Sequence, residues 1–178
     1  MMMKVAVFTT LFLSATILAA GQQDRSKRPS PPATAQCKFS DGKSIKVDYS
    51  SPRARGRKIF GDLVPYGKVW RTGANDATSL MTDANLTSGG KDIPAGNYTI
   101  FTIPNADKWT LIVNKKTGEW GIPYKYEADE LARIDMSVSK TPALVENFAI
   151  AFDQKGDACT MRIEWENTRA QTDFSERR

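Results

Sequence analysis

The run GKVWRTGANDAT, residues 67–78, sets a tryptophan, an arginine, an amide and a carboxylate close together as Trp70, Arg71, Asn75 and Asp76. A guanidinium with five fixed donors can fork onto a carboxylate, an indole offers a flat face to a sugar or a peptide, and an amide can read hydroxyls. A second aromatic stretch, EWGIPYKY at residues 119–126, adds Glu119 and Trp120 and would make the opposite wall of a cleft if it met the first. Three accounts fit these residues. In the architectural one, Trp70 plugs the core edge, Arg71 bonds loop carbonyls, Gly73 supplies a backbone angle other residues avoid and Asn75 caps the turn. In the binding one, Trp70, Arg71, Asn75, Asp76, Glu119 and Trp120 form a platform for a glycan, a peptide or an envelope protein. In the catalytic one, Arg71 works with Asp76 or Glu119.

The chain contains no histidine. That excludes a Ser-His-Asp triad, an imidazole acid or base at neutral pH, and an ordinary zinc site, since two distant cysteines do not supply the ligands. Nucleophile-elbow, Walker and dinucleotide fingerprints are absent as well. What remains is carboxylate pairs, a lysine nucleophile or calcium. Asp129 and Glu130 are neighbours that face opposite ways in a strand, and Asp76, Asp83, Glu119 and Asp135 meet only if folding brings them together. Asp153 and Asp157 flank DQKGDAC, which reads as a hairpin turn and lacks the spacing of a calcium loop. No catalytic residue, metal ligand or cofactor is assigned.

Positioning these side chains is the task of the rest of the chain. Residues 1–21 pass from Lys4 through an apolar run to Ala19, Ala20 and Gly21, the order of a cleaved secretory leader without a lipid-bearing cysteine. No other stretch reaches the roughly 20 apolar residues of a membrane span. Residues 22–34 are polar and Pro-rich and read as a flexible tether. Of the formal charge of +5, the leader and the tether hold +3, which leaves +2 elsewhere. So little basicity argues against nucleic acid as a partner. One basic cluster, PRARGRK with Arg53, Arg55, Arg57 and Lys58, reads either as a solvated loop or as a contact for an anionic envelope polymer. Two cysteines in an oxidising compartment, both facing inward on strands, predict a Cys37–Cys159 disulfide that sets the first strand beside or over the penultimate one.

From residue 35 apolar side chains recur at every second position. Cys159, Met161, Ile163 and Trp165 alternate with polar neighbours, as do Ile134, Met136 and Val138, then Phe148, Ile150 and Phe152, then Ile45, Val47 and Tyr49. Turn chemistry fills the gaps: Asp41-Gly42, Pro94 with Gly96, PNADKW and DQKGDAC. NYTIFTI and KWTLIVN are apolar on both faces, which places that hairpin at a sheet centre or under a loop. Only residues 58–63 and 126–132 are candidates for helical turns. About eight to ten short strands follow, an all-β antiparallel sandwich with a closed barrel as the alternative. The domain is expected over residues 35–170, with 171–178 fraying.

The segments GRKIFGDLVPYGKVWRTGANDAT, IPAGNYTIFTIP, KWTLIVNK, EWG and RIEWENT together resemble the bacterial domain-of-unknown-function family 2911, over about Ser44 to Thr168. The resemblance implies an exported bacterial protein of the envelope and carries no catalytic residues across. That family favours Glu where Asp76 stands, and its members need not carry the two cysteines. The resulting expectation is a periplasmic or secreted non-catalytic binding or interaction protein. The alternative is a carboxylate-dependent hydrolase of an envelope polymer.

Overall fold

The computed structural model describes residues 27–177; the expected leader and the first part of the tether lie outside the described residues. Among the described residues there are nine strands: β1 (Pro32–Lys38), β2 (Ser44–Ser50), β3 (Ser79–Thr82), β4 (Leu86–Ser88), β5 (Lys91–Ile93), β6 (Gly96–Ile103), β7 (Lys108–Asn114), β8 (Glu130–Lys155) and β9 (Ala158–Glu176). All pairings are antiparallel, in one open sheet ordered β1-β2-β3-β6-β7-β8-β9-β4-β5. The all-β expectation holds, with no α-helix among the described residues. Residues 126–132 hold a 3-10 turn at Glu127–Asp129 before β8 begins, and residues 58–63 close as a turn in which Val64 N–H donates to Ile59 at 2.9 Å.

The sheet becomes sandwich-like because its longest hairpin cannot stay flat. β8 and β9 pair regularly from Ser137↔Gln171 to Lys140↔Thr168 and again from Ala149↔Glu164 to Lys155↔Ala158, with register shifts between. At that bend Glu166 takes φ 56°, a bulge conformation that few non-glycine residues adopt. Beyond it the hairpin folds over β1 and β2. Tyr49 Oη bonds both the N–H and the carbonyl of Ile150, and Ser51 Oγ donates to Phe148 at 2.6 Å. The disulfide Cys37–Cys159 ties β1 to β9 across a Cα separation of 6.2 Å. β1 therefore packs over β8, the penultimate strand, while its covalent tie is to the last one.

Between the layers lie Ile45, Val47, Leu80, Ile100, Leu111, Ile134, Met136, Met161, Ile163 and their neighbours. These are the inward members of the alternating runs. β6 and β7 occupy the middle of the strand order, and their second face buries Phe101 and Ile112 beneath Tyr124 and Tyr126. The two-faced hairpin thus sits both at the sheet centre and under a loop. Turn residues behave as expected: Gly42 at φ 92° closes β1–β2, and Gly156 at φ 60° closes β8–β9.

Two boundaries differ from the sequence expectation. β1 begins at Pro32, inside the segment read as tether, because Pro32, Ala33 and Thr34 register with Ser50, Tyr49 and Asp48. β9 continues to Glu176 where fraying was expected: Phe174 is fully buried, and Ser175 and Glu176 pair with β4. A Thr at 172 sits between Ala170 and Phe174 on the inner side, so hydrophobicity alone does not mark the strand. Asp153 and Asp157 at the hairpin end are engaged by Arg162 and Ser40.

Two outcomes test this architecture. Replacing both Cys37 and Cys159 by Ala releases a loop with a sequence separation of 122 residues and should lower unfolding free energy by up to about 5 kcal/mol on the chain-entropy argument, measured by urea denaturation. Phe174→Ala should cost about 3 to 5 kcal/mol, because the site is a filled part of the core and not a loose end.

Candidate functional site

The bend in β8–β9 opens a gap that the chain fills with residues 52–60. Phe148 N–H donates to Pro52 at 2.8 Å, and Glu146 carbonyl accepts from Ala54 N–H at 2.8 Å and from Trp165 Nε1 at 3.2 Å. Glu166 carboxylate takes the N–H of Ile59 at 3.2 Å. This anchoring delivers Phe60 into an aromatic cluster with Trp70, Trp109, Phe148 and Trp165. Within it Trp70 and Trp165 stack with centroids 6.0 Å apart and planes 16° from parallel. Trp165 is 2 % exposed. Trp70 is half-buried, and its Nε1 donates to Gly73 carbonyl at 3.1 Å.

Trp70 is held by β6. Its N–H and carbonyl both bond Thr102, at 2.8 and 2.9 Å. The chain then turns sharply. Thr72 sits fully buried at φ 56°, a costly conformation for a β-branched residue. Its hydroxyl is 3.1 Å from that of Thr102, and its carbonyl accepts from Thr78 Oγ1 at 2.7 Å. Gly73 at φ 153° passes so close that a Cβ there would lie 2.9 Å from Ser50 carbonyl. The WRTGAN loop is thereby fixed from inside.

The two loops singled out in the sequence do meet, and Arg71 joins them. Its Nη1 donates to Asn75 carbonyl at 2.5 Å and Trp120 carbonyl at 3.4 Å, and its guanidinium lies 4.8 Å from the centre of the Trp120 ring. Ala77 N–H donates to Glu119 carbonyl at 3.1 Å. Gly121, at φ 92°, lets the second loop lie flat: a Cβ there would come within 2.8 Å of Ala77 Cβ and 3.0 Å of Phe101. Burial lowers the Arg71 pKa from its ordinary value, partly offset by Asp76.

Beside this junction lies a cleft of about 430 Å³ floored by Trp70 and Trp165. Leu63, Val64, Pro65 and Ile122 give it an aliphatic lining, and Arg57, Lys68 and Arg71 supply its charge. No acidic side chain lines it. Of the predicted platform, Trp70 and Arg71 reach the cleft. Asn75 has its amide committed to Ser30 carbonyl at 3.1 Å, and Glu119 accepts from Tyr126 Oη at 3.2 Å. Trp120 is 55 % exposed and covers the outer side of Arg71. Asp76 faces a separate cleft of about 320 Å³ that Asp48 also lines. Each carboxylate there already has a cation, Lys46 at 2.9 Å from Asp48 and Arg28 at 3.7 Å from Asp76. Desolvation of Asp48 is outweighed by the Thr34 hydroxyl and Lys46, which hold it below the usual carboxylate range, contrary to what a general acid needs.

The sequence model of the family described as protein of unknown function (DUF2911) matches residues 30–174. The chain belongs to the DUF2911 family. No curated protein and no solved structure matches it. In this DUF2911 domain, Arg57, Leu63, Lys68, Ile122 and Trp165 are among the cleft residues that sequence reading did not place there. All but Trp165 lie in the basic cluster, the approach to WRTGAN or the EWGIPYKY stretch; Trp165 was legible only as an inward strand residue.

The second loop is pinned from the far side by Glu130, which accepts from Arg133 Nε at 2.7 Å, Arg133 Nη2 at 2.9 Å and Tyr124 Oη at 2.6 Å. Arg133 chiefly holds Glu130 below its ordinary value, while burial and then Glu130 push the Tyr124 phenol up. A carboxylate depressed on folding stabilises above its unfolded value near 4.5, and that contribution is lost as pH falls through the folded value. Glu130→Gln should remove this acid-side loss from the stability profile and bring the Tyr124 titration down, read by ultraviolet absorbance. Gly121→Ala should cost about 1 to 3 kcal/mol and detach Trp120 from Arg71, seen as a red shift of tryptophan emission.

Proposed function

We propose that the protein is a non-catalytic binding protein exported to the bacterial envelope, and that its ligand enters the cleft over Trp70 and Trp165. The observation that carries this reading is the cleft itself: an aromatic floor and aliphatic walls with three cations and no acid. Such a site is concave, mostly apolar and provided with a few convergent polar groups, as ligand sites are. Three of the five large apolar side chains left exposed among the described residues, Leu63, Trp120 and Ile122, stand at or beside it, which is more local clustering than solubility favours. The buried strain at Thr72 fixes the loop that presents Trp70 and Arg71, so the site is preorganised. Export is supported by the leader pattern of residues 1–21 and by the Cys37–Cys159 pair. Catalysis of a carboxylate-dependent kind finds less support, since the Asp48–Asp76 cleft holds its acids as ion pairs.

Screening pools of envelope peptides, peptidoglycan fragments and small organic anions by protein NMR tests the reading. Binding should perturb the Trp70 indole and Ile122 methyl signals together. Ile122→Asp, at a position 39 % exposed, should weaken that binding at least tenfold while changing stability by no more than about 0.5 kcal/mol. Binders that perturb only residues remote from the cleft would overturn it.

A further inference from the structure

The polar groups of the cleft narrow the chemistry of what it takes. Recognising a sugar requires acceptors as well as donors, because every hydroxyl is both. The Trp70 cleft has almost none to offer from its side chains: apart from Ser30, its polar side chains are Arg57, Lys68 and Arg71, all donors. Asn75, the amide that would have read hydroxyls, is turned to Ser30 carbonyl and does not line the cleft. Donors without acceptors match an anion.

Among the described residues, none of the three cations is held in an ion pair, and Asp76 acts on Arg71 only from beyond ion-pair distance. Arg71 Nε and Nη2 bond no protein acceptor among those residues. Arg57 uses Nε and Nη2 on the carbonyls of Ala54 and Arg53, at 2.9 and 2.7 Å, which orders it without neutralising it. A guanidinium that burial has partly stripped of water, as at Arg71, gains most from an incoming anion. The remaining lining is aliphatic and aromatic. Leu63, Val64 and Ile122 offer no hydrogen bonds, and Leu63 is 45 % exposed without a cover.

We propose that the ligand is a small amphiphilic carboxylate, an acyl chain of medium length whose tail lies between Leu63 and Ile122 over the Trp70–Trp165 floor and whose head pairs with Arg71 and Lys68. This rests on the binding role proposed for the same cleft and adds the class of occupant. A single chain suits the volume of about 430 Å³, which is at the small-molecule end of ligand sites. The charge complementarity selects the head group and the apolar walls select the tail.

Isothermal titration calorimetry of the oxidised protein with sodium decanoate, decylamine and decyl glucoside, each below its micellar concentration, tests the assignment. Saturable one-to-one binding of decanoate is expected, with no measurable heat from decylamine. Lys68→Glu, on an exposed side chain, should weaken decanoate binding at least tenfold, and Arg71→Gln should do the same provided its far-ultraviolet circular dichroism is unchanged. Equal affinity for decyl glucoside, or for decanoate in the Lys68→Glu variant, would overturn the carboxylate assignment while leaving a ligand site in place. Binding of a peptide ending in leucine carboxylate but not of decanoate would overturn the acyl assignment alone. If none of these probes binds but other pool members perturb the Trp70 and Ile122 signals, the occupant proposed here is wrong and the binding role stands.

Discussion

The stack of Trp70 on Trp165 is the contact through which the two halves of this protein depend on each other. Trp165 comes from the far hairpin, at the residue before the bend at Glu166, and Trp70 comes from the loop between β2 and β3. Phe60 and Phe148 meet both rings edge-on, at centroid distances between 5.2 and 6.3 Å. Offset and edge-to-face rings contribute about 0.5 to 1.5 kcal/mol per pair beyond their buried area. The cluster is therefore both the seam of the fold and the floor of the cleft. Trp70 and Trp165 serve both purposes, while Phe60, Phe148 and Trp109 pack behind them.

That coupling explains why the loops around the cleft are so tightly held for irregular backbone. Segment 52–60 replaces the missing rungs of the β8–β9 ladder, so the carbonyl and carboxylate of Glu146 and the carboxylate of Glu166 accept from loop N–H groups. Arg71 holds the EWG loop in the complementary sense, donating to the Trp120 carbonyl where Glu146 accepts from the N–H groups of Ala54 and Arg55. A backbone polar group left unpaired at half-buried depth costs free energy, and each of these side chains removes one such cost. The bonds describe the architectural account of WRTGAN: Trp70 plugs, Arg71 bonds carbonyls, and the surfaces they leave open line the cleft on which the proposed binding role rests.

On the opposite face of the central hairpin, a second small core of Phe101 and Ile112 is sealed by Tyr124 and Tyr126. Glu130 and Asn114 hold that lid through Tyr124 Oη and the Tyr126 carbonyl. The segment that seals this core is continuous with Trp120, Gly121 and Ile122, so the sheet centre and the cleft wall share one support. Ile122 reaches the cleft because the two tyrosines beyond it are anchored.

Much of the fold was legible residue by residue because burial of one strand face imposes a period of two. Ile45, Val47, Ile134, Met136, Met161 and Ile163 all point where that period says. Asp41-Gly42 and Gly156 mark turns because few residues accept positive φ. Cys37 and Cys159 were predictable as partners from their inward phase and even number. The meeting of WRTGAN with EWG was not, and neither was the extent of β9 past Ala170, where Thr172 interrupts the apolar alternation. Local sequence carries propensity and period, but the cleft is made by a bend in a hairpin whose strands lie far apart from Trp70 in the chain. Which cations are left without acids, and which amide is already used, is decided by three-dimensional pairing, since hydrogen bonds and charges act over a few ångströms and not over sequence distance.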